Sequence, residues 1–258
     1  MARLTNKALL FTGTVGNMST YTRKGSDVHF VRTKGGASKK KIAKSPAFEI
    51  VRRNCREFGE ASGTAKGIRY AMLFVKHLAD YNIHPVLTSI CKSFMRTDMT
   101  GVFGDRDVEL SKHRQLLQGF NLNQRHPFDG VVRTPVQCTI DRETASAMVQ
   151  LPDLVPGINL HLPWKNPMYR FIINLGIADD WGIDADKASF IPAIYTPWHL
   201  ATQHYTGGEF TLQADQTKKL KDEETLIVSV GIEMGNPVTD TLIHTVKHVG
   251  CAKLLKVG

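Results

Sequence analysis

The sequence is short of several features that would announce a function. No run approaches the roughly 18 consecutive apolar residues needed to cross a bilayer, so no membrane partner is expected. The opening Met1-Ala2-Arg3-Leu4-Thr5-Asn6-Lys7 has neither the apolar core nor the cleavage site of a secretory signal, which points to a cytoplasmic location. Cysteine is scarce: Cys55, Cys91, Cys138 and Cys251 stand 36, 47 and 113 positions apart. There is no Cys-x-x-Cys pair and no histidine at zinc-finger spacing, which argues against a metal framework. Each cysteine falls on an apolar face of the patterns below, so four buried free thiols in a reducing compartment are expected. The phosphate-loop and dinucleotide glycine patterns, the Gly-x-Ser-x-Gly elbow and the His-Glu-x-x-His helix are all missing. No catalytic residue and no cofactor is predicted.

Acidic residues are missing from one end. Residues 1–70 contain 15 Lys and Arg against Asp27, Glu49, Glu57 and Glu60, a local charge of 15 − 4 = +11. The remaining 33 − 15 = 18 basic and 24 − 4 = 20 acidic residues leave 71–258 at −2. The densest cluster is Arg32, Lys34, Lys39, Lys40, Lys41 and Lys44, interrupted by Gly35 and Gly36 and without a core-facing stripe of its own. Such a stretch is an arm that a partner orders. It can serve as a solvated loop, bind phosphate on nucleic acid or a ribosome surface, or dock on an acidic protein surface.

What is present reads as an α+β chain. Ala8 to Thr14, Met18 to Arg23 and Val28 to Thr33 are β-compatible runs separated by turns at Val15-Gly16-Asn17 and Gly25-Ser26-Asp27, a three-stranded β-meander. Ser45 before Pro46 is a helix start, and Phe48, Val51, Cys55 and Phe58 recur at helical spacing up to Gly59. Two further helices are predicted, over about 64–80 with Ile68, Met72 and Val75 inward, and over about 85–96 with Leu87, Ile90, Cys91 and Phe94 inward. From residue 131 the pattern turns to period two: Val136, Cys138, Ile140; Ala145, Ala147, Val149, Leu151; Tyr169 to Ile177; Phe210 and Leu212; Leu226 to Met234; Cys251 to Val257. Six or seven short strands with turn signals and no long helix between them predict a C-terminal antiparallel, immunoglobulin-like β-sandwich. The expected domains are 1–120, a basic meander and helical module, and 131–258, the sandwich, divided by the polar stretch Asn121 to Gly130.

Chemistry is thin. The single acidic cluster, Asp179, Asp180, Asp184 and Asp186, lacks the spacing of a calcium loop, and Asp180, Asp184 and Asp186 are its only metal candidates. Trp164, Trp198, Tyr169 and Tyr195 could form a sugar-stacking platform, although Pro163-Trp164 and Pro197-Trp198 fit turns that tuck a ring over a core edge.

Gly16-Asn17 through Tyr21, Gly25-Ser26-Asp27, Val31 to Gly36, Lys44-Ser45-Pro46-Ala47-Phe48, Arg52-Arg53-Asn54, Glu57-Phe58-Gly59 and the later Leu117 to Asn123 carry a resemblance. The chain resembles a group of uncharacterised proteins of Bacteroidota genomes. The resemblance implies a basic N-terminal module followed by helices and a β-domain, and it assigns no activity to any residue. The expected function is that of a non-catalytic structural or interaction protein, docking through its basic arm on a larger assembly or on a second copy of itself. The alternative is a nucleic-acid- or ribosome-associated protein, and the third is a metal-dependent enzyme using the acidic loop.

Overall fold

The computed structural model describes residues 2–3, 11–23, 26–33, 35–97, 101–180, 191–214, 220–239 and 242–258. It divides into two compact units, Met1–Arg52 and Arg53–Gly258.

The first unit is a four-stranded antiparallel sheet followed by a helical corner. Strands β1 (Ala2–Arg3), β2 (Gly13–Val15), β3 (Met18–Thr22) and β4 (His29–Thr33) lie in the order β1-β4-β3-β2. Gly16, at φ +56°, takes the left-handed conformation that a two-residue hairpin requires between β2 and β3. The second expected turn is held by Ser26, whose amide bonds Arg23 O and whose hydroxyl accepts from Val28 N. The meander therefore gains a strand at its start, whereas its expected segment Ala8 to Leu10 and turn residue Gly25 lie outside the described residues. Helix α1 (Lys39–Lys44) and a single 3-10 turn over Pro46–Phe48 lead into helix α2 (Glu49–Ala71).

Helix α2 joins the helix expected up to Gly59 and the one expected over about 64–80 into a single helix that stops at Ala71; Ile68 is inward as expected, but the first half buries a different face. Val51, Cys55 and Phe58 are exposed, the last at 56%. The buried side is Glu57, Ala61, Thr64, Ala65, Gly67, Ile68 and Ala71. Small residues let this helix approach its neighbours closely, so contact follows side-chain size and not apolar bulk. After Ala71 the chain passes through a 3-10 turn at Lys76–Leu78 to helix α3 (Ile83–Met95), which starts where Asn82 accepts from His84 N and buries Leu87, Cys91, Phe94 and Met95.

The stretch Asn121 to Gly130, expected to separate two domains, lies inside the second unit and is built into its core. The amide of Leu122 bonds Ala252 O, and Leu122 and Phe128 are fully buried. Asn123, also buried, donates to Leu78 O at 2.8 Å and Gly250 O at 3.2 Å and accepts from Ala252 N at 2.9 Å. Next to it, the Asp80 carboxylate accepts from Gln124 N and Arg125 N. Buried backbone groups need partners, and this polar segment supplies them between helices and sheet.

A four-residue helix α4 (Phe128–Val131) precedes the strands β5 (Gln137–Asp141), β6 (Ser146–Leu151), β7 (Met168–Asp179), β8 (Ile194–Tyr195), β9 (His199–Leu200), β10 (Gly208–Gln213), β11 (Glu224–Pro237) and β12 (Ile243–Val257). One antiparallel sheet has the order β10-β6-β5, and the larger has β12-β11-β7-β8 with β9 also paired to β7. One core joins Ala147, Val149, Leu151 and Leu212 of the small sheet to Phe171, Ile173, Leu175, Val228, Val230 and Ile232 of the large one. A second core packs Ile68, Met72, Leu87, Cys91 and Phe94 on the opposite face, at Ile172, Ile227, Ala252 and Leu254. The centre of the large sheet, β7 and β11, is thus buried on both sides, and β11 does not alternate: its burial is continuous from Thr225 to Gly235.

Candidate functional site

The basic residues singled out by composition sit on two elements of the first unit. Arg32 lies on β4 and is exposed; Lys39, Lys40, Lys41 and Lys44 are the exposed lysines of α1; Lys34 lies outside the described residues.

β3 ends Tyr21-Thr22 and is followed by Arg23, while β4 carries Phe30-Val31-Arg32. The antiparallel register sets Tyr21 opposite Phe30, and alternation along a strand puts each aromatic and the arginine two residues on upon one face. The rings stack with centroids 5.9 Å apart and an interplanar angle of 28°. The Arg23 guanidinium lies over the Phe30 ring at 4.8 Å, and that of Arg32 over the Tyr21 ring at 5.6 Å. The result is a ladder, Arg23, Phe30, Tyr21, Arg32, with both guanidinium groups exposed and both rings half-buried. Tyr21, Phe30 and Arg23 were not among the residues that charge density marked; the repeated aromatic-x-Arg pattern on neighbouring strands was the available signal.

Helix α1 is short and held from outside. Ser38 caps it by accepting from Lys41 N at 3.2 Å. At its other end, Arg52 Nη1 donates to Ile42 O at 2.7 Å and Ser45 O at 2.9 Å, satisfying carbonyls that a helix terminus leaves open. No residue of α1 is buried and no acidic residue stands in its first turn. None of its four lysine ammonium groups has an ion-pair partner among the described residues. Lys41 and Lys44 suit the negative helix end, whereas Lys39 and Lys40 at the positive end are repelled by it.

Of the acidic candidates, Asp184 and Asp186 lie outside the described residues. Asp180 borders an open cavity of about 440 Å³ lined also by Asp107, Glu109, Ser111, Arg114 and Glu223. Its carboxylate accepts from Ser111 N at 2.7 Å and Ser111 Oγ at 2.5 Å. Burial pushes this carboxyl above its ordinary value, against the lowering effect of the Ser111 bonds. Arg114 in the same wall donates to the backbone oxygens of Asp222 and Glu224, so it ties a loop down. Among the described residues no group of three His, Cys, Asp or Glu side chains could hold a metal ion.

The four aromatics considered as a sugar platform do not come together. Tyr169 is buried in the first core, and Trp164 meets His126 edge-on. Tyr195 and Trp198 instead flank the guanidinium of Arg170 at 4.6 and 4.5 Å. Arg170 bonds Glu233, its partner across β7 and β11, through Nε at 2.8 Å, and His77 Nε2 lies 3.1 Å from the other carboxylate oxygen. Burial alone would raise the Glu233 carboxyl, but the bonds from His77 and Arg170 outweigh it and hold the group below its ordinary value. This cluster is a satisfied ion pair under an aromatic clamp.

No protein-family model, curated protein or solved structure matches the chain. Among the described residues, no helix is long and apolar enough to cross a membrane.

Proposed function

We propose that this chain is a non-catalytic interaction protein that docks its basic N-terminal unit on an anionic partner, with the two-sheet body, read as a sandwich braced by helices, serving as a rigid carrier. One observation supports this reading above the others: the charge divides where the fold divides. Met1–Arg52 contains 11 Lys and Arg against Asp27 and Glu49, so 11 − 2 = +9. Arg53–Gly258 contains 33 − 11 = 22 basic and 24 − 2 = 22 acidic residues, a net of zero. A unit of one sign attracts a partner of the opposite sign over about a Debye length.

The test is the salt dependence of binding to duplex DNA or heparin. Each lysine contacting phosphate releases about one counterion, so replacing Lys39, Lys40 and Lys41 by Ala should flatten the slope of log affinity against log salt by about 3. Exposed lysines contribute little to folding, so the variant should melt with the wild type. No binding in dilute buffer, or an unchanged slope in the triple variant, overturns the proposal.

A further inference from the structure

We infer that the anionic partner is a single-stranded nucleic acid, whose bases stack on the ladder formed by Arg23, Phe30, Tyr21 and Arg32 while its phosphates meet the lysines of the same unit; this rests on the docking reading above. Charge alone does not choose among polyanions. A protein that binds only duplex backbone needs cations and no rings, whereas single-strand binders add aromatic faces because every unpaired base has a π-face to offer. The first unit supplies both. Its sheet carries a stacked Tyr21–Phe30 pair with the guanidinium of exposed Arg23 over Phe30 and that of exposed Arg32 over Tyr21, planar groups that themselves accept stacked bases or give way to them.

Neither buried core of the described residues includes this arrangement. Of the strand residues 13–15, 18–22 and 29–33, Thr20 alone is buried. The ladder is on the opposite face from Thr20, because Tyr21 is its neighbour in the strand and alternate residues face opposite ways. The aromatic pair therefore contributes to no core among the described residues. Acidic peptide would use the lysines and leave the rings without a role, and a lipid surface would require an apolar helix face beside the charge, which α1 lacks.

The experiment uses the full chain and three fluorescent probes of equal length, oligouridine, oligothymidine and a mixed-sequence duplex, with anisotropy read at low and moderate salt. The single strands are expected to bind more tightly than the duplex, and the tighter of the two identifies RNA or DNA as the source. Tyr21→Ala and Phe30→Ala should each weaken single-strand binding about tenfold with little effect on the duplex, and Tyr21→Phe, which keeps the ring, should bind as the wild type does. Because an alanine here could also disturb the small sheet, wild-type protein is irradiated with iodouracil-substituted strands, and the adduct is expected on a peptide carrying Tyr21 or Phe30. If single strands bind no better than duplex, or if adducts map away from residues 11–33 and both alanine variants bind normally, the inference is overturned and docking by charge still stands. If no probe binds even in dilute buffer, docking on a polyanion is overturned as well, and a protein partner takes its place.

Discussion

Gly176 is the position at which the packing of helix on sheet can be tested most sharply. It lies on β7 two residues beyond Asn174, on the face covered by the helices. A Cβ placed there would stand 2.1 Å from Ala71 O, 2.5 Å from Ala71 Cα and 2.6 Å from Ala71 C, all backbone atoms at the end of α2. None of these can rotate aside, so Gly176→Ala forces the helix end to withdraw by about 1 Å. The withdrawal strains or breaks the 2.7 Å bond from Asn174 Nδ2 to Ala71 O, worth about 1–3 kcal/mol where both groups are buried. It also opens the second core beside Met72 and Val75, a cost of about 1–3 kcal/mol for an overpacked interior. Relief of glycine's chain entropy offsets about 0.5–1 kcal/mol. The net expectation is a loss of ~3 kcal/mol, read from urea unfolding followed by circular dichroism. Gly59→Ala is the control: it lies within α2 with nothing inside 4 Å of its would-be Cβ, and it should gain ~0.5–1 kcal/mol. Gly176→Ala within ~0.5 kcal/mol of the wild type would show that the helices do not seat on the sheet in this way.

The thiols give a second check. Cys55 should react with a thiol reagent in the native protein, while Cys91, pushed up to about 12 by burial, and the fully buried Cys251 should react only after unfolding; Cys91 labelled as fast as Cys55 would contradict the second core. A third concerns Glu57, buried on α2 and bonded by Arg106 Nε at 2.7 Å, Arg106 Nη2 at 3.0 Å and Gly104 N at 2.8 Å. The Arg106 hydrogen bond, against burial, holds this carboxyl below its ordinary 4.5, so its contribution is complete above pH 4.5 and is lost as pH falls through the lower folded value. The stability difference between wild type and Glu57→Gln should therefore be constant above pH 4.5 and shrink below it, and a difference that grows on acidification would reverse the assigned sign.

Why the second core was hidden follows from the residues that make it. Along β11, Leu226, Val228, Val230, Ile232 and Met234 alternate with Ile227, Ser229, Gly231, Glu233 and Gly235. Apart from Ile227 the second set is small or polar, and such residues at every second position resemble the solvent face of a half-buried strand. They face helices instead, because Gly231 leaves room for Leu78 and Ser229 bonds the same Asn174 that holds the end of α2. On α2 the same substitution of closeness for bulk misleads in the other direction: Val51 and Phe58 draw the eye to a face that is exposed, whereas Ala61, Thr64 and Ala65 mark the one that is buried. Periodicity reports size and polarity along a single element. Close approach depends on which element lies opposite, and that information is in neither pattern alone. Hence the longer strands and the helix at Ile83–Met95 were legible; the fusion of the two helices expected before it into one that ends at Ala71, and the sharing of one sheet between two cores, were not. The polar stretch Asn121 to Gly130 was misleading for a related reason, since Asn123 looks like a linker residue until its three buried bonds are seen.

The candidate site divides along the same line. Net charge is additive over a segment, so the excess at the N-terminal end can be counted without knowing any contact, and the fold then divides at Arg52 so that the whole of the +9 falls in the first unit. A stacking ladder is a pairwise property. Tyr21-Thr22-Arg23 and Phe30-Val31-Arg32 are unremarked tripeptides with six residues between them until an antiparallel register sets Tyr21 against Phe30; a shift by one residue would turn one aromatic to the other face and leave each arginine over a threonine or valine. The register is set in turn by the short turn between β3 and β4, through the Ser26 bonds to Arg23 O and Val28 N. The feature that distinguishes a base-stacking surface from a merely basic one therefore rests on a turn, and an insertion between Asp27 and Val28 that slips the register by one residue should abolish the preference for single strands while leaving every lysine of α1 in place.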